Sequence, residues 1–182
     1  MRGRLALLAA LLLSASPAWA ADESVLSCVD QRVTDESLND MMAEVIFEDD
    51  WTGKLNQDPP KEIRAIIEAC ADRSFLPTSA RAAYFDYSLN RLIRRAETPA
   101  LRAAGIKPDE VDHALGLGPG LANPLAAEVT TKAREDQMDA AYNQALTASG
   151  ITFDSLLPIN ITTLIAYTEA SARMYRAQVK LP

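Results

Sequence analysis

The sequence predicts an all-α fold, a compact multi-helix bundle of six to eight helices with one disulfide. Three observations carry that expectation. Apolar residues recur three and four apart along most of the chain, runs that alternate like a half-buried strand are nearly absent, and proline and glycine stand where helices should start and stop.

The elements follow in order. Val25, Leu26, Cys28, Val29 and Val33 predict a short first helix. Thr34 then has the character of an N-cap. Asp35 and Glu36 fill the first turn, where the helix dipole favours negative charge, and Leu38, Met41, Met42, Val45 and Ile46 follow at helical spacing. The polar stretch DDWTGKLNQD reads as a loop, and Asp58-Pro59-Pro60 opens the next helix, because proline is tolerated in a first turn whose N–H groups have no partner. Ile63, Ile66, Ile67 and Cys70 form its one apolar face.

After Leu76-Pro77, Thr78 or Ser79 is read as the cap of a helix to about Ala96, with Phe85, Leu89, Leu92, Ile93 and Ala96 on one stripe. Thr98-Pro99 is read as the start of a short helix stopped by Gly105, and Pro108 to Leu115 as another. The cluster GLGPG, Gly116 to Gly120, is a hinge or tight loop. Asn123-Pro124 is read as the cap of the longest helix, which runs to about Ser149 and ends at Gly150. Its Ala-rich face predicts close packing and no large cavity. A last helix from about Asn160 to Gln178 should turn Ile161, Leu164, Ile165, Thr168, Ala172 and Tyr175 inward. The strings LRAAGIKPDEV and LTASGITFDSL, from Leu101 and Leu146, read as two glycine helix stops with an apolar residue packed behind each, not as a duplication.

The first twenty residues, MRGRLALLAALLLSASPAWA, carry Arg2 and Arg4, an apolar run from Leu5 to Leu13 and small residues at Ala18 and Ala20. That is the three-part form of a secretory signal peptide, with cleavage expected after Ala20. Residues 21–182 are then one helical domain with an acidic part at 22–60. No later apolar run reaches the roughly 20 residues that a bilayer span needs. A soluble, exported protein is expected, periplasmic or secreted, and the Ala-rich, Arg-over-Lys composition points to a bacterial source.

Export settles how the two cysteines, Cys28 and Cys70, are read. Val25-Leu26-Ser27-Cys28 has the look of a degenerate lipid-attachment site, but Pro17, a complete peptidase site and the charges of Asp22 and Glu23 separate it from the apolar run. In an oxidising compartment an even pair reads as a bridge. Closing a loop of about 43 residues would restrict the unfolded chain by roughly 4 kcal/mol. With no Cys-x-x-Cys and a single histidine, zinc and thiol redox chemistry lose ground.

The formal charge of −7 is unevenly placed. Between Asp22 and Pro60 stand eleven acidic residues against Arg32 and Lys54, whereas from Lys61 onward there are fourteen of each sign. Nucleic acid is therefore disfavoured as a partner. Glu48, Asp49 and Asp50 also stack negative charge at an expected helix C-terminus, where the dipole prefers cations. Arg91, Arg94 and Arg95 across the bundle, water, a basic protein partner or a bound cation would offset it. A calcium loop set on Gly53 places Pro59 where the bidentate glutamate belongs, so the cation reading is weak and no metal or cofactor is expected.

Local catalytic patterns are scarce in the chain. His113 is the lone imidazole and reads as an exposed helix residue; no Gly-x-Ser-x-Gly occurs, and GLGPG lacks the spacing of a phosphate loop. Met41, Met42, Met138 and Met174 fit core packing better than copper handling, and Asn160-Ile161-Thr162 is an incidental glycosylation match. A short helix with a cysteine, about forty residues, and then IIEACADRSF resembles the small exported acid-stress chaperones of Gram-negative bacteria. The likeness covers Val25 to about Phe75 and carries no function over.

The function expected is that of an exported, non-catalytic interaction protein, an inhibitor, immunity or accessory factor. It would present Glu48, Asp49, Asp50 and Trp51 to a basic protein of the cell envelope or exterior, with Trp51 as the aromatic anchor. The alternatives are a carboxylate-dependent cell-wall or carbohydrate hydrolase, with Glu44 and Glu48 as first candidates, and a small-ligand carrier.

Overall fold

The structure is a computed structural model that describes residues 23–38, 59–125 and 128–181. Among these there are six α-helices with both ends described, the start of another at residues 35–38, one 3-10 turn and no strand: α1 Glu23–Ser27, α2 Lys61–Arg73, α3 Thr78–Ala103, α4 Pro108–Leu115, α5 Lys132–Ala148, the 3-10 turn Phe153–Ser155 and α6 Pro158–Gln178. The fold is the all-α bundle expected. No helix among the described residues is long and apolar enough to cross a membrane.

Long antiparallel neighbours α3 and α6 form the spine, and two apolar clusters lie along it. The first joins Leu26, Val29 and Val33 of the N-terminal segment to Ile63 and Ile67 of α2, Tyr84, Leu89 and Ile93 of α3, and Ala170 and Met174 of α6. The second joins Leu101 of α3, Val111 of α4, Leu146 of α5 and Leu164 and Tyr167 of α6. Tyr84 ties α1 to the spine by donating its hydroxyl hydrogen to the carbonyl of Val25 at 2.9 Å.

The predicted bridge is present. Cys28 and Cys70 are joined with Cα atoms 5.9 Å apart, pinning the turn after α1 to the buried face of α2. Thr34 also does what its position requires, accepting from the Ser37 N–H at 3.1 Å. The helix it opens is described only as far as Leu38, and Met41, Met42, Val45 and Ile46 lie outside the described residues.

Three helix boundaries differ from expectation. Neither Thr78 nor Ser79 caps α3; Pro77 holds the N-cap position and no side chain bonds there. The helix does not stop at Ala96 and restart at Pro99, but runs 26 residues straight through Pro99. Proline costs a helix one N–H bond, here to the Arg95 carbonyl, and its fixed φ is otherwise helical. Burial of Leu92 and Ile93 before it and Leu101 after it, on the α6 side, offsets that loss. The third difference concerns α5, which begins at Lys132 under a Thr131 cap and not at Asn123-Pro124, so α3 is the longest helix among the described residues. Ile165, expected inward, is 48% exposed.

Four helices end alike. After α2, α3, α4 and α5 the next residue but one enters the left-handed region, at Phe75, Gly105, Gly116 and Gly150, or directly follows the last helical residue in the case of Gly116. In each the following residue donates to a carbonyl five positions back: Leu76 to Ala71, Ile106 to Leu101, Leu117 to Asp112 and Ile151 to Leu146, at 2.8 to 3.1 Å. These are the doubly bonded glycine-type stops that satisfy orphan carbonyls. The two similar strings are thus two copies of a stop motif. Their ends also meet in space, with the Lys107 N–H donating to Ser149 Oγ and Lys107 Nζ to the Ala148 carbonyl.

Candidate functional site

The glycine cluster becomes a tight loop because Asn123 closes it. Asn123 is 2% exposed and sits at φ 47°, a conformation that asparagine tolerates better than most residues. Its Oδ1 accepts from the Gly118 N–H at 2.8 Å, and its Nδ2 donates to the carbonyls of Gly118 and Leu121 at 2.9 Å. An asparagine expected to cap a helix spends its amide inside a loop instead.

From that loop a chain of contacts reaches α6. Arg176 donates through Nε to the Asn123 carbonyl at 2.6 Å, and its two terminal nitrogens grip the carboxylate of Glu128 at 2.5 and 2.6 Å. Arg134, in the first turn of α5, donates to the Glu128 carbonyl at 3.3 Å. The hydrogen bond from Arg176 holds Glu128 below the usual glutamate range and raises Arg176 in turn, so both are charged at neutral pH.

Between the tied loop, α4 and α5 lies a half-open cavity of about 420 Å³. Its apolar lining comes from Ala114 and Leu115 of α4, Pro124, Leu125 and Val129 of the loop, and Met138 and Ala141 of α5. Glu128, Arg134, Gln137 and Arg176 also line it. The volume lies within the range of small-ligand sites. This corrects the expectation of close packing and no large cavity along α5: only Ala145 and Leu146 of this helix are fully buried, and Met138 and Ala141 line the cavity. A second cavity, of about 460 Å³, lies against the other side of α5 and is lined by Asp139, Tyr142, Asn143, Phe153 and Asp154.

The strongest polar network sits on the spine. Arg94 donates to Asp112 Oδ2 at 2.5 Å and to the Tyr167 hydroxyl at 2.8 Å, while Tyr167 donates to Asp112 Oδ1 at 3.0 Å. The guanidinium also lies 5.2 Å from the Tyr167 ring centre and 5.6 Å from that of Tyr175. Burial raises Asp112 above the ordinary aspartate range although Arg94 opposes it, and burial raises the Tyr167 hydroxyl. Every group here has its partner within the fold, so the network joins α3, α4 and α6 and offers no open position for a ligand.

Of the residues singled out in the sequence, Cys28 and Cys70 are brought together; Glu48, Asp49, Asp50 and Trp51 lie outside the described residues, as does Glu44. Pro59, the residue at the twelfth place of the weak calcium match, is buried. His113 is exposed on α4, Met174 is buried and Met138 partly so, in keeping with a packing role. Among the described residues no group of three or more His, Cys, Asp or Glu is placed to hold a metal ion. The cavity and its arginines were missed, because Arg176 and Glu128 stand 48 residues apart and leave no local signature.

No family model, curated protein or solved structure matches the chain. The likeness of residues 25–75 to acid-stress chaperones therefore gains no support, and function has to be argued from the geometry.

Proposed function

We propose that this chain is a non-catalytic interaction protein that presents its acidic segment, around Glu48, Asp49, Asp50 and Trp51, to a basic partner of the cell envelope or exterior. The observation that most supports this is how Arg91, Arg94 and Arg95 of α3 are spent. Arg91 pairs with Asp30 at 2.5 Å, Arg95 with Asp30 and Asp35 at 3.6 and 3.3 Å, and Arg94 with Asp112 at 2.5 Å. Arg95 also donates to the carbonyl of Val33 at 2.7 Å. Arg91 and Arg95 thus hold the first part of the acidic segment on α3, while Arg94 is spent on α4. By sequence, residues 40–58 carry six acids against Lys54, a charge excess that a basic partner would complement.

The test is an affinity pull-down from cell-envelope extract at low and high salt, with Asp49→Lys plus Asp50→Lys as control. Capture should fall steeply with ionic strength and vanish in the double reversal. Partner binding that ignores both salt and the reversal would sink the proposal.

A second reading, the small-ligand carrier, is favoured by one specific observation, the cavity of mixed apolar and charged lining against α5. The hydrolase alternative gains no such observation, its first candidates Glu44 and Glu48 lying outside the described residues.

A further inference from the structure

We infer that the cavity between α4, α5 and the loop residues Ala122, Pro124, Leu125, Glu128 and Val129 is a site for an amphipathic anion, a carboxylate carrying an apolar tail of medium length. The inference rests on the carrier reading and names its ligand class. Leu115, Leu125, Val129 and Met138 give walls that reward burial of a hydrocarbon. The charged groups lining the same cavity include two guanidiniums, from Arg134 and Arg176.

Arg176 already shows the chemistry. It holds a carboxylate by two parallel N–H bonds, the arrangement in which guanidinium recognises carboxylates best. That carboxylate belongs to Glu128, an exposed residue of the loop, so a ligand carboxylate that reproduces the same two bonds can take its place. Arg134 is less committed. Its side chain donates to a backbone carbonyl and makes no ion pair among the described residues. It also stands in the first turn of α5, where the helix dipole adds positive potential. A cationic head group would face both arginines and a neutral one would gain nothing from them, whereas a carboxylate is attracted by both while its tail enters the apolar wall.

The experiment is calorimetric titration of the disulfide-intact protein with decanoate. Decanol supplies the tail without charge, acetate the charge without tail, and decyltrimethylammonium the opposite charge. Decanoate should bind at least about tenfold tighter than any of the three, and Arg134→Gln should weaken it roughly tenfold. Glu128→Gln should strengthen it by about two- to fivefold, since it removes the internal competitor. Ala141→Phe, with helicity checked by circular dichroism, should abolish binding by filling the cavity.

Equal affinity for decanoate and decyltrimethylammonium, or an unchanged affinity in Glu128→Gln, overturns the inference. Should the cation or the alcohol bind more tightly and Ala141→Phe block it, the anion assignment falls and the carrier reading stands. Should none of the four probes bind, both fall together.

Discussion

The half of the bundle around the Cys28–Cys70 bridge and the half around α4 and α5 are closed in different ways. In the first, Tyr84, Leu89 and Ile93 are fully covered by α1, α2 and α6, and a covalent link holds the cover in place. In the second, Leu101, Ile106, Val111 and Leu146 are equally buried, yet α5 commits only two of its 17 residues to full burial and a cavity opens along it. Side-chain size explains the contrast. Isoleucine and tyrosine on facing helices fill the space between them, whereas the alanines of α5 do not, and unfilled apolar space is what a ligand can use.

The largest test of this contrast removes the bridge. Cys28→Ala with Cys70→Ala should cost about 4 kcal/mol on the chain-entropy account of a 42-residue separation, read from the denaturant midpoint. A loss below about 1 kcal/mol would mean that the first half is held by packing alone and that the two halves differ less than they look.

Next in size is the seam between the clusters. Glu97 is 3% exposed on α3, one helical turn from Ile93 of one cluster and one turn from Leu101 of the other. Burial pushes its carboxyl up to about 7 from an ordinary 4.5, a rise that the hydrogen bond with Thr163 only partly opposes. A carboxyl raised in the folded state is at no disadvantage below pH 4.5, and the fold loses stability as pH climbs from there through about 7. At about 1.4 kcal/mol per pH unit the loss is on the order of 3 kcal/mol. Glu97→Gln should leave stability at pH 4 nearly unchanged and raise it at pH 8, flattening the profile. An identical slope in the variant would show that another group carries it.

The smallest effect compares the helix stops of the two halves. In the first half Phe75 takes the left-handed position, at φ 52° and 92% exposed, while in the second Gly150 takes it at φ 77°. A side chain there costs about 1 kcal/mol or slightly more. Phe75→Gly should therefore stabilise by about 1 kcal/mol and Gly150→Ala destabilise by a similar amount, since nothing stands within 4 Å of a Cβ at 150. Thermal midpoints moving in the same direction would contradict the shared geometry of the stops.

What could be read from the sequence was local. The all-α class, the starts near Lys61 and Pro108, the stops at Gly105 and Gly150 and the Cys28–Cys70 pairing all follow from patterns a few residues wide or from a count of two. Continuity through Pro99 was not legible, because the proline signal is also local and the packing against α6 that overrides it is not. Asn123 illustrates the same limit from the other side: Asn-Pro is a sound helix-start signal, but here the residue serves a loop whose glycines lie up to seven positions earlier. The cavity was least legible. It depends on which alanines of α5 face a void and on an arginine that reaches Glu128 from the last helix.

Because α3 gives Ile93 to one cluster and Leu101 to the other, and α6 gives Met174 to one and Tyr167 to the other, the two halves share their spine. Neither can melt while its neighbour stays folded without tearing a helix in the middle. Occupancy of the cavity would then be felt at the far end of the molecule: a ligand at Arg134 and Arg176 should slow reduction of the Cys28–Cys70 bridge wherever that reduction requires global opening.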